Sequence, residues 1–152
     1  MLLHPDFKDL LSVLADERAE YLVIGGYAVG FHARPRFTKD IDLWVGDSAQ
    51  NLLRLSIALE KFGVPASVLD SINTGSSDDI AWFRVPPTRV DIVRHADGGS
   101  FVPAYTRRVQ AEWEGVPVSI VSVADLLALK RAAAREQDLR DIQALERAQN
   151  RR

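Results

Sequence analysis

The run DIDLWV, from Asp40 to Val45, constrains the fold of this chain more than any other stretch. Its alternation indicates a β-strand, because successive side chains in a strand point to opposite faces. Asp40 and Asp42 then share one face, and the aliphatic side chains of the run share the other. Two neighbouring carboxylates at the start of an otherwise apolar strand are costly to place unless something pairs with them. The natural partner is a divalent cation.

A glycine turn precedes this strand. The apolar run Tyr21 to Ile24 favours a buried strand, Gly25-Gly26 ends it, and Ala28 to Ala33 indicates the start of a short helix. Glycine permits a tight turn and the close approach of a ligand to the backbone. The helix N-terminus that follows would offer free N–H groups and a positive dipole end to an anion. An ordinary strand-to-helix turn explains the same pattern.

A basic loop joins this helix to the acidic strand. The loop carries Arg34, Arg36, Thr38 and Lys39. Its cations either pair with the two carboxylates that follow or steady a polyphosphate held beside a metal. His32, in the preceding helix, is interpreted as a structural hydrogen-bonding residue rather than as a ligand.

A third acid lies on a later strand. The segments 80–85 and 88–94 predict two strands joined by a proline turn. In the second of them, Asp91 lies between Val90 and Ile92, so its carboxylate faces away from the core-facing aliphatic pair. An exposed strand face would account for this residue equally well.

The rest of the chain alternates helical and extended patterns. Together with the strands above, this order predicts an α+β (α/β-like) fold in which helices flank a mixed β-sheet. We expect one domain over 1–152, with a core over about 7–121 and a C-terminal helical segment over about 122–148. The other predicted elements are helices over 7–18, from 48 to 62, over 101–108, from 122 onward and around 139–145, an extended piece at 68–69, a polar loop over 70–79, and a hairpin over 109–121.

Composition excludes several classes of function. The 152 residues include no Cys, so a disulfide framework, a thiolate metal site and a Cys nucleophile are all excluded. A net charge of −2 gives no chain-wide basic signal for nucleic-acid binding. The N-terminal residues lack the long apolar region of a signal peptide, and no apolar run is long enough to span a bilayer. We expect a cytoplasmic protein without a membrane partner.

The acids and the glycine turn are together typical of one kind of site. Three clustered carboxylates without a cation repel one another. Two divalent metals would neutralise them and would stabilise the attacking and leaving oxygens of an in-line displacement. Mg²⁺ prefers oxygen ligands and binds between carboxylates and substrate phosphates. The set therefore predicts phosphoryl or nucleotidyl transfer.

These residues resemble the nucleotidyltransferase superfamily with the DNA polymerase β-like fold. The superfamily pattern appears here as Ile24-Gly25-Gly26, then Asp40-Ile41-Asp42-Leu43, then Val90-Asp91-Ile92. The stretch GGYAVGFHARPRFTKDIDL is similar to a small bacterial branch that includes abortive-infection, toxin–antitoxin-type and lincosamide-type nucleotidyltransferases. The segment LALKRAAAREQDLRDI is similar to the end of the abortive-infection group. Gly26 stands where the minimal antitoxin-type branch has Ser.

The resemblance implies a role for each matching residue. It implies that Asp40 and Asp42 bind two metal ions, Mg²⁺ or alternatively Mn²⁺. It implies that Asp91 binds the catalytic metal and helps to activate the acceptor hydroxyl. It also implies that the backbone N–H groups of Gly25 and Gly26 bind the triphosphate. Lys130 would contact the triphosphate or the base, and Arg36 and Thr38 would be further phosphate contacts. We expect Asp138 and Asp141 to brace the C-terminal helix.

Three functions follow as expectations. The leading one is a metal-dependent nucleotidyltransferase that moves an NMP from an NTP to a hydroxyl of a nucleic acid such as tRNA, of a protein or of a small molecule, and releases pyrophosphate. The second is a non-catalytic NTP- or partner-binding member of a toxin–antitoxin-like module, with a cognate toxin or antitoxin as partner. The third is a metal-dependent glycosyltransferase, which the glycine turn and the third acid disfavour.

Overall fold

The computed structural model describes residues 4–34, 38–76, 78–85 and 87–151. Within these ranges the chain forms an α+β fold. The strands are β1 (Tyr21–Ile24), β2 (Asp40–Val45), β3 (Ile80–Val85), β4 (Thr88–Val93), β5 (Val109–Trp113) and β6 (Val116–Ile120). The helices are α1 (Pro5–Asp16), α2 (Gly25–His32), α3 (Ala49–Phe62), α4 (Ala66–Thr74), α5 (Phe101–Thr106), α6 (Val123–Ala133) and α7 (Glu136–Asn150).

All six strands belong to one mixed sheet, in the order β3-β4-β2-β1-β6-β5. The pairs β2–β4 and β1–β6 are parallel, whereas β1–β2, β3–β4 and β5–β6 are antiparallel. The predicted mixed sheet with flanking helices is therefore confirmed. No helix in the described ranges is both long and apolar enough to cross a bilayer.

Side chains on both faces of the sheet are buried by helices. On one face, Phe83 of β3 packs against Phe62 of α3, with ring centroids 6.2 Å apart. On the other, Trp44 of β2 meets Phe101 of α5 edge to face at 5.6 Å. The aliphatic side chains of β2 are fully buried, as the alternation in its sequence predicts. Burial of this apolar surface is the main force that holds the sheet between its helices.

Local sequence signals set several element ends. The Ser48 hydroxyl accepts a hydrogen bond from the Asn51 amide at 3.1 Å and caps α3, and Gly63 ends that helix with a left-handed φ of 100°. Ser122 caps α6 through the Asp125 amide at 3.1 Å. The predicted hairpin is present, and both of its turn residues, Glu114 and Gly115, have positive φ, as a tight two-residue connection requires.

The segment after α3 differs from its prediction. Residues 66–74 form the helix α4, so the extended piece at 68–69 and the first half of the loop over 70–79 are wrong. Ile72 faces the core and is buried, which anchors the helix despite its polar composition. The Ser71 and Thr74 hydroxyls donate to backbone carbonyls four residues earlier. Residues that favour turns in isolation thus satisfy helical geometry once one apolar anchor is buried.

A buried amide ties α3 to the sheet. The Asn51 side chain accepts from the Glu20 amide at 2.6 Å and donates to the carbonyls of Glu20 at 2.9 Å and Gly46 at 2.8 Å. Asn51→Ala removes all three hydrogen bonds, and we expect a loss of about 2–3 kcal/mol in the free energy of unfolding. Urea denaturation measures it. The exposed neighbour Gln50 provides the control, since Gln50→Ala should change stability by less than about 0.5 kcal/mol.

Candidate active site

The register of the sheet aligns four residues across four neighbouring strands. Ile24 of β1 lies opposite Asp42 of β2, Asp42 lies opposite Asp91 of β4, and Asp91 lies opposite Trp82 of β3. Two acids about fifty positions apart in sequence therefore become cross-strand neighbours. Directly opposed side chains on one face have Cβ atoms only ~4.5–5.5 Å apart.

Asp42 and Asp91 interact directly. The pKa of Asp42 is raised to about 7, first by burial, then by the negative charge of Asp91 and a hydrogen bond with it, and then by the charge of Asp40. Such a hydrogen bond between two carboxyl groups requires a proton between them. A cation bound beside the two carboxylates would offset the charge repulsion between them.

Arg89 is a cationic neighbour of this pair. Its Nε lies 2.9 Å from Asp91 Oδ1, and its Nη2 donates to Asp91 Oδ2 at 3.0 Å. It also lies opposite Asp40 across the β2–β4 ladder. Sequence reasoning assigned Arg89 no role. Its position two residues before Asp91 in the same strand, and therefore on the same face, was the available signal.

The glycine turn lies against the Asp42 side chain. Gly25 has a φ of 67°, and a Cβ built on it would lie 2.2 Å from Asp42 Oδ2. The helix α2 begins at Gly25 rather than at Ala28, because glycine adopts this conformation without strain. No side chain caps that N-terminus. The backbone N–H groups of Gly25 and Gly26 thus begin a helix beside the Asp42 carboxylate.

Thr38 lies next to the site. Its hydroxyl donates to the Asp40 carbonyl at 3.1 Å, and its own carbonyl accepts from the Tyr27 hydroxyl at 3.4 Å. These bonds fix the chain as it enters β2. Arg36, the other predicted phosphate contact of this loop, lies outside the described residues.

Lys130 lies in a buried ion cluster between α6 and α7. Its Nζ is 3.1 Å from Asp138 Oδ1 and 3.0 Å from Asp141 Oδ2, and the residue is only 8% exposed. Arg135 Nε also contacts Asp138, at 2.8 Å. Burial acts to raise the pKa of Asp138, but hydrogen bonds from Arg135 and Lys130 prevail and lower it to about 2. Both acids therefore brace the C-terminal helices, as expected.

The Lys130 cluster also acts on the acid pair. The positive charge of Lys130 lowers the pKa of Asp42, in opposition to the burial and carboxylate charges that raise it. The structure thus places Lys130 within electrostatic range of Asp42, with its ammonium group engaged by the two acids of α7. His32 likewise has a structural contact, since its Nε2 lies 2.7 Å from the Val121 carbonyl.

The donor set is compatible with Mg²⁺. Among the described residues, no group of three His, Cys, Asp or Glu side chains forms a ready cage for a metal ion. Asp42 and Asp91 nevertheless form a contacting pair of oxygen donors. Mg²⁺ in nucleotide sites is commonly held by one or two carboxylates together with substrate phosphates, rather than by an all-protein cage. Asp42 and Asp91 would hold such an ion, with Asp40 at the entrance to the same strand face.

Ionisation of Asp42 should make the metal-free protein less stable at alkaline pH. Because its folded pKa of about 7 exceeds the ordinary Asp pKa of 3.8, the folded state keeps a proton that the unfolded chain releases between these two pH values. The contribution of Asp42 to the free energy of unfolding is fully present below pH ~4 and is lost as the pH rises through ~7. In EDTA at pH 8, Asp42→Asn should raise the free energy of unfolding by on the order of 2–4 kcal/mol.

Urea denaturation of both proteins at pH 4.5 and pH 8 measures this linkage. The difference between Asp42→Asn and the unaltered protein should shrink at the lower pH. Asp47→Asn is the control, because Asp47 is an exposed acid whose carboxylate contacts Arg94. An equal effect of Asp42→Asn at both pH values would contradict a raised pKa.

Comparisons with known proteins bear on the family and the fold of the chain. The family described as "Nucleotidyltransferase of unknown function (DUF6036)" matches residues 6–149. Among solved structures, the chain is similar to a "putative nucleotidyltransferase" (TM1012) from Thermotoga maritima, with a TM-score of 0.58 and 15% sequence identity over 99% of this chain and 97% of that chain. At this identity the likeness concerns the fold alone. No match was found among curated proteins.

Proposed function

This chain belongs to that nucleotidyltransferase family of unknown function, and on this premise we propose that it transfers a nucleoside monophosphate from an NTP to an acceptor hydroxyl. Pyrophosphate is the second product. The observation that carries the proposal is the pairing of Asp42 with Asp91 across neighbouring strands. The glycine turn completes it, because Gly25 lies against the Asp42 carboxylate.

The two ends of the site have separate tasks in this reaction. The backbone N–H groups of Gly25 and Gly26 bind the triphosphate at the uncapped N-terminus of α2, where the helix dipole favours negative charge. Asp40, Asp42 and Asp91 would hold two metal ions, Mg²⁺ or alternatively Mn²⁺. When bound, the metal neutralises the charge that develops on the phosphate oxygens. Thr38, Arg36 and Lys130 are proposed as further nucleotide contacts.

The chemical step is an in-line displacement. The acceptor oxygen forms a bond to the α-phosphorus, and the bond from that phosphorus to the α,β-bridging oxygen breaks. Pyrophosphate leaves with that bonding pair, and the hydroxyl proton passes to the Asp91 carboxylate. Arg89, 2.9 Å from Asp91, keeps the carboxylate oriented before substrate binds.

Label transfer tests this function. The protein is incubated with each α-³²P-labelled NTP, Mg²⁺ and a mixture of RNA, proteins and small metabolites from a cell extract. We expect a labelled product whose formation falls by about 10²–10³-fold in Asp42→Asn, since removal of a main electrostatic group in an active site costs about this much. Arg131→Ala, which alters an exposed arginine, is the matched control. Absence of both label transfer and NTP binding in the unaltered protein would overturn the proposal.

A second candidate function is NTP or partner binding without transfer, within a toxin–antitoxin-like module. The observation that favours it is the bidentate contact of Arg89 with Asp91, which occupies the carboxylate that transfer would use. Calorimetry separates the two functions. NTP binding with no transfer to any acceptor, in the unaltered protein and in Arg89→Ala alike, would favour the binding role.

A further inference from the structure

One aromatic side chain beside the acid pair is exposed. Of the three tryptophans in the sequence, Trp44 and Trp113 are buried, with 1% and 7% exposure, whereas Trp82 is 49% exposed. Trp82 lies in β3, an edge strand of the sheet, directly opposite Asp91. An exposed indole has a large apolar surface in water, and it is a common means of binding flat ligands.

Two arginines flank this ring. The Cζ atoms of Arg84 and Arg89 lie 5.6 and 5.7 Å from the Trp82 ring centroid, and the two residues are opposite one another in the β3–β4 ladder. Ile80 is exposed on the same face of β3, two residues from Trp82. We call these four residues the Trp82 platform. It combines a half-exposed indole with positive charge, next to three carboxylates.

The platform lies at the acceptor end of the site. Along the aligned row, Ile24 leads into the glycine turn, Asp42 and Asp91 follow, and Trp82 comes last. Neighbouring strands are ~4.8 Å apart, so the Trp82 backbone lies ~14 Å from that of Ile24. A triphosphate on the glycine turn is therefore separated from Trp82 by both acids. A group held on Trp82 would approach Asp91 from the side opposite the triphosphate.

We propose that the Trp82 platform binds the unpaired end of a single-stranded nucleic acid, which is the acceptor of the transferred nucleotide. A base stacks on the indole, and Arg84 contacts the adjoining backbone phosphate. The inference rests on the proposed transferase function and names its acceptor. Stacking on aromatic rings combined with arginine contacts is how single strands are bound without a sequence code. The local cations replace the basic surface that a net charge of −2 does not provide.

Transfer onto such an acceptor forms one bond and breaks one bond at the α-phosphorus. The terminal hydroxyl oxygen of the strand forms a phosphodiester with the α-phosphorus of the NTP, the α,β-bridging bond breaks, and pyrophosphate leaves. The hydroxyl proton passes to Asp91. The acceptor becomes longer by one nucleotide, and its new terminal hydroxyl matches the one that reacted.

Oligonucleotide binding tests the platform independently of catalysis. The anisotropy of fluorescein-labelled eight-nucleotide RNA and DNA strands is measured with the full chain in EDTA and without NTP. Trp82→Ala should weaken binding about tenfold or more, and Trp82→Phe should retain most of it because the aromatic face remains. Arg84→Ala should weaken binding and lower its salt dependence. Arg131→Ala, an exposed arginine on α6, should leave binding unchanged. Comparison of the RNA and DNA arms identifies the preferred strand.

A transfer assay separates failure of this inference from failure of the proposed function. With labelled NTP, Mg²⁺ and the same oligonucleotides, strand extension that is lost in Trp82→Ala and restored in Trp82→Phe supports the platform. Extension or binding that is unaffected by Trp82→Ala overturns it. Label found only on proteins or small molecules also overturns it, while the transferase proposal stands. If the unaltered protein transfers label to nothing, the proposed function fails, and the acceptor assignment fails with it.

Discussion

Gly25→Ala should reduce nucleotidyl transfer by at least ~100-fold, because a displacement of reacting groups by about 1 Å has an effect of this size. The added Cβ would lie 2.2 Å from Asp42 Oδ2, a distance at which one of the two groups must move. The φ of 67° at Gly25 adds a backbone penalty of about 1–2 kcal/mol for any residue with a Cβ. The clash is specific to the site, since it moves the carboxylate that interacts with Asp91 or shifts the start of α2.

Gly63→Ala separates the two effects. Gly63 has a φ of 100°, and a Cβ added there would meet no atom within 4 Å. This variant therefore carries the backbone penalty without a clash, and it lies at the end of α3. We expect both variants to lose stability in urea denaturation, while only Gly25→Ala loses transfer and NTP binding. Equal activity in Gly25→Ala and Gly63→Ala would contradict a site built at the glycine turn.

Lys130→Met should lower the free energy of unfolding by about 3–5 kcal/mol, because it removes the cation that bridges two buried carboxylates. Lys130 contacts Asp138 at 3.1 Å and Asp141 at 3.0 Å, and both acids are buried. Methionine preserves most of the volume of the lysine side chain, so the loss reports the charge rather than a cavity. Because the Lys130 charge also lowers the pKa of Asp42, that pKa should rise further in the variant.

The neighbouring Arg131 provides a matched control on the same helix. Its ion pair with Glu146 spans 3.1 Å, but both side chains are about half exposed. Arg131→Met should therefore change stability by less than about 1 kcal/mol. Urea denaturation of both variants tests the difference. If Lys130→Met kept its stability but lost NTP binding, the role of Lys130 as a brace for α6 and α7 would be contradicted, and only its proposed role as a nucleotide contact would stand.

Much of the sheet could be predicted from local pattern. The alternation in DIDLWV and around Asp91 identified β2 and β4 and the faces of their acids. The hairpin followed from Glu114-Gly115 between two alternating runs, and the caps of α3 and α6 followed from Ser48 and Ser122. These features depend on residues close in sequence, whose spacing and turn chemistry are visible without a structure.

The contacts that complete the site could not be predicted in this way. The register that aligns Asp42 with Asp91 is set by how β2 and β4 pair, and about fifty intervening residues leave that pairing open. The same holds for Arg89 and Trp82, which gain significance only from their cross-strand neighbours. The clash that a Cβ at position 25 would cause depends on the position of the Asp42 side chain. Periodicity identifies a face, but it does not identify the partner across the ladder.

The contacts of Lys130 also could not be predicted from the sequence. The resemblance to known nucleotidyltransferases implied contact with the nucleotide, whereas the structure pairs its ammonium group with Asp138 and Asp141. Both acids lie close to Lys130 in the sequence, but they contact it only because α6 and α7 fold back on one another. The pairing of Lys130 therefore became visible only from the packing of α6 against α7, not from residue type and spacing.

Calorimetric titration of a non-hydrolysable NTP analogue tests most directly whether the glycine turn and the acid pair form one metal–nucleotide site. The titration is made with Mg²⁺, with EDTA, and with the Asp42→Asn and Gly63→Ala variants in Mg²⁺. Binding should require Mg²⁺, should be lost in Asp42→Asn, and should be unchanged in Gly63→Ala. Binding of equal affinity in EDTA and in Asp42→Asn would contradict a nucleotide site organised around Asp42 and Asp91.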